Sequence, residues 1–260
     1  EYGPLETGTT PKVGTPMNIR GLSLSNGLTL ADVDHRNDLV KRYDTAFGSF
    51  AKKDKILSGM DEFSQKAYEM MRSNSTREAF DLTKESKSIS GMFDDGGFSQ
   101  SCLLATRLVE SGVRLVSVQL GGWDTHRDNF ARLKDTNLPN LDDGLAGLFR
   151  ALAFKGLLET TSVFVTGEFG RTPKINQRGG RDHYPRAMFC ILAGGSMPGG
   201  QVIGESDPKG EGPKDRIITP DDVAATFYHT LGIDHTKEYH TPTGRPVMII
   251  RDGKPIPELI

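Results

Sequence analysis

Cysteine, tryptophan and long apolar runs are all scarce in this sequence. Among 260 residues there are 2 cysteines and 1 tryptophan. Cys102 and Cys190 both lie in apolar segments, so we interpret them as buried thiols, because a disulfide framework is typical of small, cysteine-rich secreted chains. No window holds the roughly 18 apolar residues that a membrane span needs. We therefore expect no membrane-spanning segment.

A basic excess is missing as well. The formal net charge is −2, whereas a nucleic-acid-binding protein normally carries a surplus of Lys and Arg, so we expect no nucleic-acid partner. The first residue is Glu1 rather than methionine, and no signal peptide is found. We therefore expect a processed product or a truncated chain, and the compartment stays open. Apolar residues make up 36% of the sequence, which is enough for a globular core.

Three parts of the chain differ in pattern. Residues 1–35 are rich in Gly, Thr and Pro without sustained periodicity, which predicts coil or extended chain. Residues 36–95 carry apolar side chains at helical spacing, such as Leu39, Tyr43 and Phe47, which predicts a mainly helical sub-region. Residues 96–260 alternate between helical and strand patterns and predict one α/β domain.

The third part predicts a mostly parallel sheet flanked by helices. Residues 113–120 and 161–168 form short β-branched runs that predict buried strands, and a helix is predicted between them at about 141–155. This order is typical of a right-handed parallel βαβ unit. Residues 187–195 predict a third strand, and a last helix is predicted after the N-cap Thr219. The strand residues predicted to be buried are Leu115, Val116, Val118, Val163, Phe164, Val165, Phe189, Ile191 and Leu192.

Acidic and histidine side chains stand beside the ends of these strands. They are Asp124, His126, Asp128, Glu168, Asp182 and His183. Ligands of open α/β sheets bind beyond the carboxyl ends of the strands. An antiparallel third strand would bring five of these side chains to one edge: Asp124, His126, Glu168, Asp182 and His183. Carboxylates mixed with imidazoles suit a divalent metal such as zinc or manganese. Three arginines lie close in sequence and suit the oxyanion of a phosphate or sulfate ester: Arg171, Arg181 and Arg186.

Simpler explanations exist for each part of this pattern. Asp124 could form an Asx-turn, Glu168 could pair with Arg171, and Asp182-His183 could be a turn. The prediction of a site depends on all of them falling at strand ends that share one direction. The sequence leaves both explanations open.

Four segments resemble the bacterial domain-of-unknown-function family 1501, a sulfatase-like group placed with the alkaline phosphatase superfamily. They are GGWDTHRDNF, VTGEFGRTPKIN, GGRDHYPRAMFCILAGG and ITPDDVAATFYHTLGID, and the resemblance covers about residues 100–260. It implies a parallel-rich sheet with two divalent metals at its carboxyl edge, zinc first, with manganese and calcium as alternatives. One ion would be held by Asp124, His126 and His183 and the other by Glu168, with Asp128 and Asp182 beside these ligands.

The chain departs from that superfamily at three places. Glu168-Phe169 stands where the superfamily usually has Asp-His, and the Asp and His of WDTH are spaced more closely than usual. No strand before residue 36 supplies the superfamily's amino-terminal metal ligand and nucleophile. The resemblance therefore implies the carboxyl-terminal part of a longer bacterial protein, exported if the whole protein carries a signal and cytoplasmic otherwise. A sheet without its first strand would have an uncovered edge, so we expect a tendency to self-associate.

The function that the resemblance implies is metal-dependent hydrolysis of phosphate or sulfate esters, on a small-molecule or polymer substrate. The alternative, from another class, is a non-catalytic binding domain that keeps the scaffold without the nucleophile. No serine or threonine has a sequence context that identifies it as a nucleophile. Fold by itself does not decide between the two functions.

Overall fold

The computed structural model describes residues 5–17, 19, 22, 27–51, 65–66, 68–70 and 72–260. The chain divides into two compact units, Glu1–Gln119 and Leu120–Ile260. In the described part of the chain, no helix combines the length and the apolar character that a membrane crossing requires, as the sequence predicts.

The described elements of the first unit are helices and helical turns. Its α-helices span Leu30–Ala51, Asn74–Ala79, Lys87–Ser90 and Gly97–Glu110, with a 3-10 turn at Leu82–Lys84. The first of these begins inside the segment predicted as coil.

The Gly97–Glu110 helix buries one face, including Leu103 and Leu104. It also carries Cys102, and burial raises the pKa of the Cys102 thiol to about 12. Cys190, in the second unit, is half-buried, and both cysteines are free.

The second unit combines helices with short strands. Its α-helices span Asn129–Arg132, Leu138–Phe154 and Pro220–Thr230, and a π-helical turn at Leu133–Asn137 joins the first two. The helix predicted at about 141–155 and the N-cap predicted at Thr219 are both confirmed. The strands are β1 Ser162–Val165, β2 Gly170–Arg171, β3 His183–Tyr184, β4 Ile191–Gly194, β5 Glu205–Ser206, β6 Pro213–Asp215, β7 Glu238–His240 and β8 Pro246–Met248.

These strands form antiparallel pairs, so the predicted mostly parallel sheet is wrong. β1 pairs with β4, β2 with β3, β5 with β6, and β7 with β8, all antiparallel. The predicted strand at 113–120 is not a strand in the structure. A β-branched run becomes a strand only where a partner completes its hydrogen bonds, because β-propensity depends on context. The third predicted strand is antiparallel to the second, and both are shorter than expected.

None of the nine strand residues predicted to be buried is fully buried: five are half-buried and four are exposed. Leu115 is 78% exposed and Phe189 81% exposed, while Phe164 and Ile191 are 39% and 38% exposed. A two-stranded sheet covers its side chains less completely than the larger sheet that the sequence indicated. The Pro220–Thr230 helix covers part of β1, where the rings of Phe164 and Phe227 lie 5.6 Å apart between centroids.

Candidate metal centre

The first wall of the site is the loop that carries Asp124 and His126. Thr125, between them, is buried, and its hydroxyl bonds to the Asn129 side-chain oxygen. The Thr125 carbonyl accepts from the Arg181 amide at 3.1 Å. The Thr125 amide also donates to the Trp123 carbonyl at 2.9 Å, which closes a tight turn at Asp124. On either side of the anchored Thr125, Asp124 is exposed and His126 is half-buried.

The second wall is the two-residue ladder of β2 and β3. Its register places Arg171 directly opposite His183 and Gly170 opposite Tyr184. The Thr172 amide extends the pairing by donating to the Asp182 carbonyl at 2.9 Å. Cross-strand neighbours in such a ladder have side chains close enough to act together. Arg171 and His183 consequently approach the first wall side by side.

Three side chains from these walls converge on one point. Nε2 of His126 lies 3.1 Å from Oδ1 of Asp124, and Nε2 of His183 lies 3.0 Å from the same oxygen. The two Nε2 atoms are 3.2 Å apart. These residues form the one group of three or more potential metal ligands found in the described part of the chain. Asp124, His126 and His183, predicted from the sequence, are therefore brought together.

The opposite ring nitrogen of His126 faces Asp182. Nδ1 of His126 lies 2.7 Å from Oδ1 of Asp182. An ionised Asp182 can only accept, so the hydrogen bond is donated by a protonated Nδ1. A neutral imidazole has one protonated and one unprotonated nitrogen. Its Nε2 then presents a lone pair toward Asp124 and His183. The carboxylate at Asp182, predicted to lie beside the ligands, contacts one of them directly.

Hydrogen bonding lowers the pKa of both carboxyl groups of the site. The bond with His183, followed by that with Arg171, holds the pKa of Asp124 below its ordinary value. The bond with His126, followed by that with Asn176, does the same to the pKa of Asp182. Both groups are therefore anionic at neutral pH. The cluster is open to solvent, with Asp124 67% and His183 50% exposed at their side chains.

Arg171 and Phe169 complete the wall around His183. The Arg171 guanidinium donates to Oδ1 of Asp124 at 2.9 Å and is 19% exposed. It lies over the Phe169 ring, 5.9 Å from the centroid, and the same ring packs against His183 at 4.5 Å between centroids. Phe169 thus supports both His183 and Arg171 by contact.

The other predicted site residues lie outside this cluster. Glu168 is exposed and is not among the grouped ligands. Arg181 donates to the carbonyls of Thr172 and Pro173 at 2.6 and 2.7 Å and so stabilises the loop. Arg186 is exposed, and Asp128 lines a cavity of about 480 Å³ with Arg127 and Arg178.

Sequence reasoning missed Asn176, which contacts both walls. Its side-chain nitrogen donates to the His126 carbonyl at 3.0 Å and to Oδ1 of Asp182 at 3.2 Å. The available signal was its position ahead of Gly179-Gly180, since an asparagine before glycines favours a side-chain-closed turn. Phe169 was noticed as a departure from the superfamily but was given no role.

A family model described as "Protein of unknown function (DUF1501)" matches residues 2–260. The chain belongs to this family. The match includes every residue of the cluster and extends well beyond the segments that carried the resemblance. No curated protein and no solved structure matched the chain. The placement with sulfatases and the alkaline phosphatase superfamily stays a prediction.

Proposed function

We propose that the chain holds a divalent metal ion between Asp124, His126 and His183 and acts in the hydrolysis of phosphate or sulfate esters. The supporting observation is the spacing of the three ligand atoms, 3.0 to 3.2 Å. Tetrahedral zinc with bonds of about 2.0–2.1 Å keeps its ligand atoms about 3.3 Å apart. The three side chains therefore fit such an ion with small adjustments.

The hydrogen-bonding roles of the three atoms also favour a cation. With Nδ1 of His126 donating to Asp182, Nε2 is a lone pair that faces the Asp124 carboxylate. Two acceptors at 3.1 Å repel each other unless a proton or a cation lies between them. Zinc or manganese suits two imidazoles and a carboxylate. Calcium, which prefers six to eight oxygens, fits less well.

Arg171 is the residue we assign to the ester oxyanion. Its guanidinium has five N–H donors. Nη2 donates to Asp124, and Nη1 lies 3.5 Å from the Arg181 carbonyl oxygen. Donors left over beside the cluster could hold a phosphoryl or sulfuryl oxygen. A bound ion would polarise the same ester and stabilise developing negative charge. The exposure of Asp124 and His183 leaves access for a small or a polymeric ester.

The second candidate is a non-catalytic binding domain that uses the same cluster. In the described residues, no Ser or Thr hydroxyl hydrogen-bonds to Asp124, His126 or His183. The Thr125 hydroxyl is buried and engaged with Asn129. We therefore assign no side chain as nucleophile. This candidate predicts metal and oxyanion binding without turnover.

Calorimetric titration with zinc and manganese tests the metal site. We expect Asp124→Asn and His183→Ala each to weaken binding at least tenfold, which corresponds to about 1.4 kcal/mol. Glu168→Gln is the matched control, since it removes a carboxylate outside the cluster and should change affinity less than about twofold. Unchanged affinity in both cluster variants would refute the metal site.

Turnover is tested separately with an aryl phosphate and an aryl sulfate. Metal-dependent hydrolysis that Arg171→Lys reduces would support the esterase function, because lysine keeps the charge but loses the planar fork. Metal binding without hydrolysis of either ester would favour the binding domain. Hydrolysis that persists in a chelator would argue against both.

A further inference from the structure

We propose that Asn176 is a positioning residue whose side-chain amide fixes Asp182 and the His126 backbone, so that Nε2 of His126 is presented to the metal position. The inference rests on the proposed metal site and names the part of the chain that builds it. Outer partners of this kind orient metal-binding imidazoles, and replacing them typically weakens metal affinity by about 10- to 100-fold.

The Asn176 amide uses its full hydrogen-bonding capacity. Its oxygen accepts from the amides of Arg178 and Gly180 at 2.9 and 3.0 Å. Its nitrogen donates to the His126 carbonyl and to Asp182. A primary amide offers two donor hydrogens and two acceptor lone pairs. All four are engaged, so only one orientation of the amide satisfies every partner.

The orientation of the Asn176 side chain sets the positions of Asp182 and His126. With the Asn176 nitrogen facing Asp182, Oδ1 of Asp182 accepts from two donors, Asn176 and Nδ1 of His126. The carboxylate cannot turn without losing both bonds. His126 is consequently held at its ring by Asp182 and at its backbone by Asn176 itself.

The loop that carries Asn176 is itself closed against the first wall. The backbone N–H of Asn176 donates to the Gly180 carbonyl at 2.9 Å, and the backbone N–H of Asn129 donates to the Gly179 carbonyl at 3.1 Å. Arg127 and Gly179 form an antiparallel bridge. A rigid loop that pairs with the segment after His126 can transmit its position to the imidazole. Asn176 joins these backbone contacts to the side-chain contacts of the site.

An exchange of the two side chains tests this arrangement. Asn176→Asp keeps an oxygen for the Arg178 and Gly180 amides but turns the donor toward Asp182 into a second carboxylate. Asp182→Asn removes the charge but keeps an oxygen for His126. The double variant keeps the net charge but not the bonds, because Oδ1 of Asp182 accepts from both His126 and Asn176 and a carboxylate at 176 has no donor for the His126 carbonyl. Asn140→Asp, on the exposed face of the Leu138–Phe154 helix, is the charge-matched control.

Zinc affinity then separates positioning from charge. Positioning predicts that each single variant weakens zinc binding about tenfold or more and that the double variant stays at least about tenfold weaker than the native chain, because its hydrogen bonds stay broken. Charge alone predicts that Asn176→Asp tightens binding and that the double variant, with its unchanged net charge, returns to native affinity. Tighter binding by Asn176→Asp, or native affinity in the double variant, would overturn the proposal. The Asn140 control should stay within about twofold.

A metal-free measurement keeps this test independent of the proposed function. At a pH of about 8, where an ordinary imidazole is neutral, ¹⁵N NMR of the ring nitrogens reports which one carries the proton. We expect the Nδ1–H tautomer at His126 in the native chain and in the Asn140→Asp control. Asn176→Asp should give a mixture, because two facing carboxylates repel and release the ring. The same His126 tautomer in all variants would refute the positioning role even if zinc binds. A changed tautomer in Asn176→Asp, together with a native chain that does not bind zinc, would refute only the metal site.

Discussion

At the residue scale, Oδ1 of Asp124 is the point on which the site converges. His126, His183 and Arg171 all contact this oxygen at 2.9 to 3.1 Å. The first two come from residues that the sequence marked as ligands, and the third from one marked for substrate. The sequence could indicate these residues because carboxylates and imidazoles are the usual ligand types of a divalent metal. It could not indicate that Glu168 lies outside the cluster.

Gly180 allows the two walls to approach each other. A Cβ at this position would overlap the carbonyl group of His126 and the amide nitrogen of Arg127. We expect Gly180→Ala to cost about 1–3 kcal/mol in unfolding free energy, as overpacking does, and to weaken zinc binding by displacing His126. Denaturant unfolding and calorimetry measure the two effects.

Gly167→Ala is the control for this prediction. A Cβ at Gly167 meets no atom within 4 Å, so its effect on stability should lie within about 0.5 kcal/mol. Equal effects at both glycines would show that the close approach at Gly180 does not matter.

At the element scale, helices were easier to predict than strands. The Leu138–Phe154 and Pro220–Thr230 helices have apolar spacing and end signals that lie within the segment itself. The run at 113–120 has the composition of a strand, yet no described strand pairs with it. Pairing depends on a distant segment, and the sequence pattern of one strand does not name its partner.

The Pro220–Thr230 helix should depend on its N-terminal cap. The Thr219 hydroxyl accepts from the Asp222 amide at 3.2 Å, and Asp222 accepts from the Thr219 amide at 2.8 Å, which completes a capping box. We expect Thr219→Ala to lower the unfolding free energy by about 1 kcal/mol. Ser86→Ala is the control, because Ser86 occupies an N-cap position without a side-chain cap bond.

The cap should also make stability depend on pH. Burial raises the pKa of Asp222, but hydrogen bonds from the Lys254 amide and from Thr219 outweigh it, so the pKa lies below its ordinary value. A carboxyl whose pKa is lowered by folding stabilises the native state above its unfolded pKa of about 3.9. That contribution should disappear as the pH falls through the folded pKa. Asp222→Asn should therefore flatten the acid limb of the stability curve, and an unchanged limb would contradict this.

At the scale of the whole molecule, all three proposed ligands belong to the unit Leu120–Ile260. We expect one zinc ion per chain, since the described residues contain one such group. Zinc at a hundredfold excess over its dissociation constant should raise the unfolding free energy by about 2.7 kcal/mol. Native mass spectrometry gives the stoichiometry, and thermal unfolding gives the stabilisation.

Hydrogen exchange locates the same effect within the chain. Zinc should slow exchange most at the backbone amides of residues 124–129 and 176–184, which surround the cluster, because local opening there breaks ligand contacts. The matched control is the Asp124→Asn chain, in which zinc should slow exchange much less. Slowing spread evenly along the chain, or equal slowing in the variant, would argue against a site between these segments.

Self-association and the absence of a nucleic-acid partner stay predictions.

Motifs and periodicities within short segments were enough to indicate the family, the principal helices and the residue types of the cluster. Tertiary structure decided how the strands pair, which arginine reaches Asp124, and that Asn176 supports His126. Asn176 and His126 are separated by 50 residues, and no local pattern encodes their contact. The shared-edge argument brought Asp124, His126 and His183 together through a parallel sheet that the chain does not form. Their convergence comes instead from the antiparallel β2–β3 ladder and the bridge between Arg127 and Gly179, since hydrogen bonds between distant segments set side-chain positions that sequence spacing cannot.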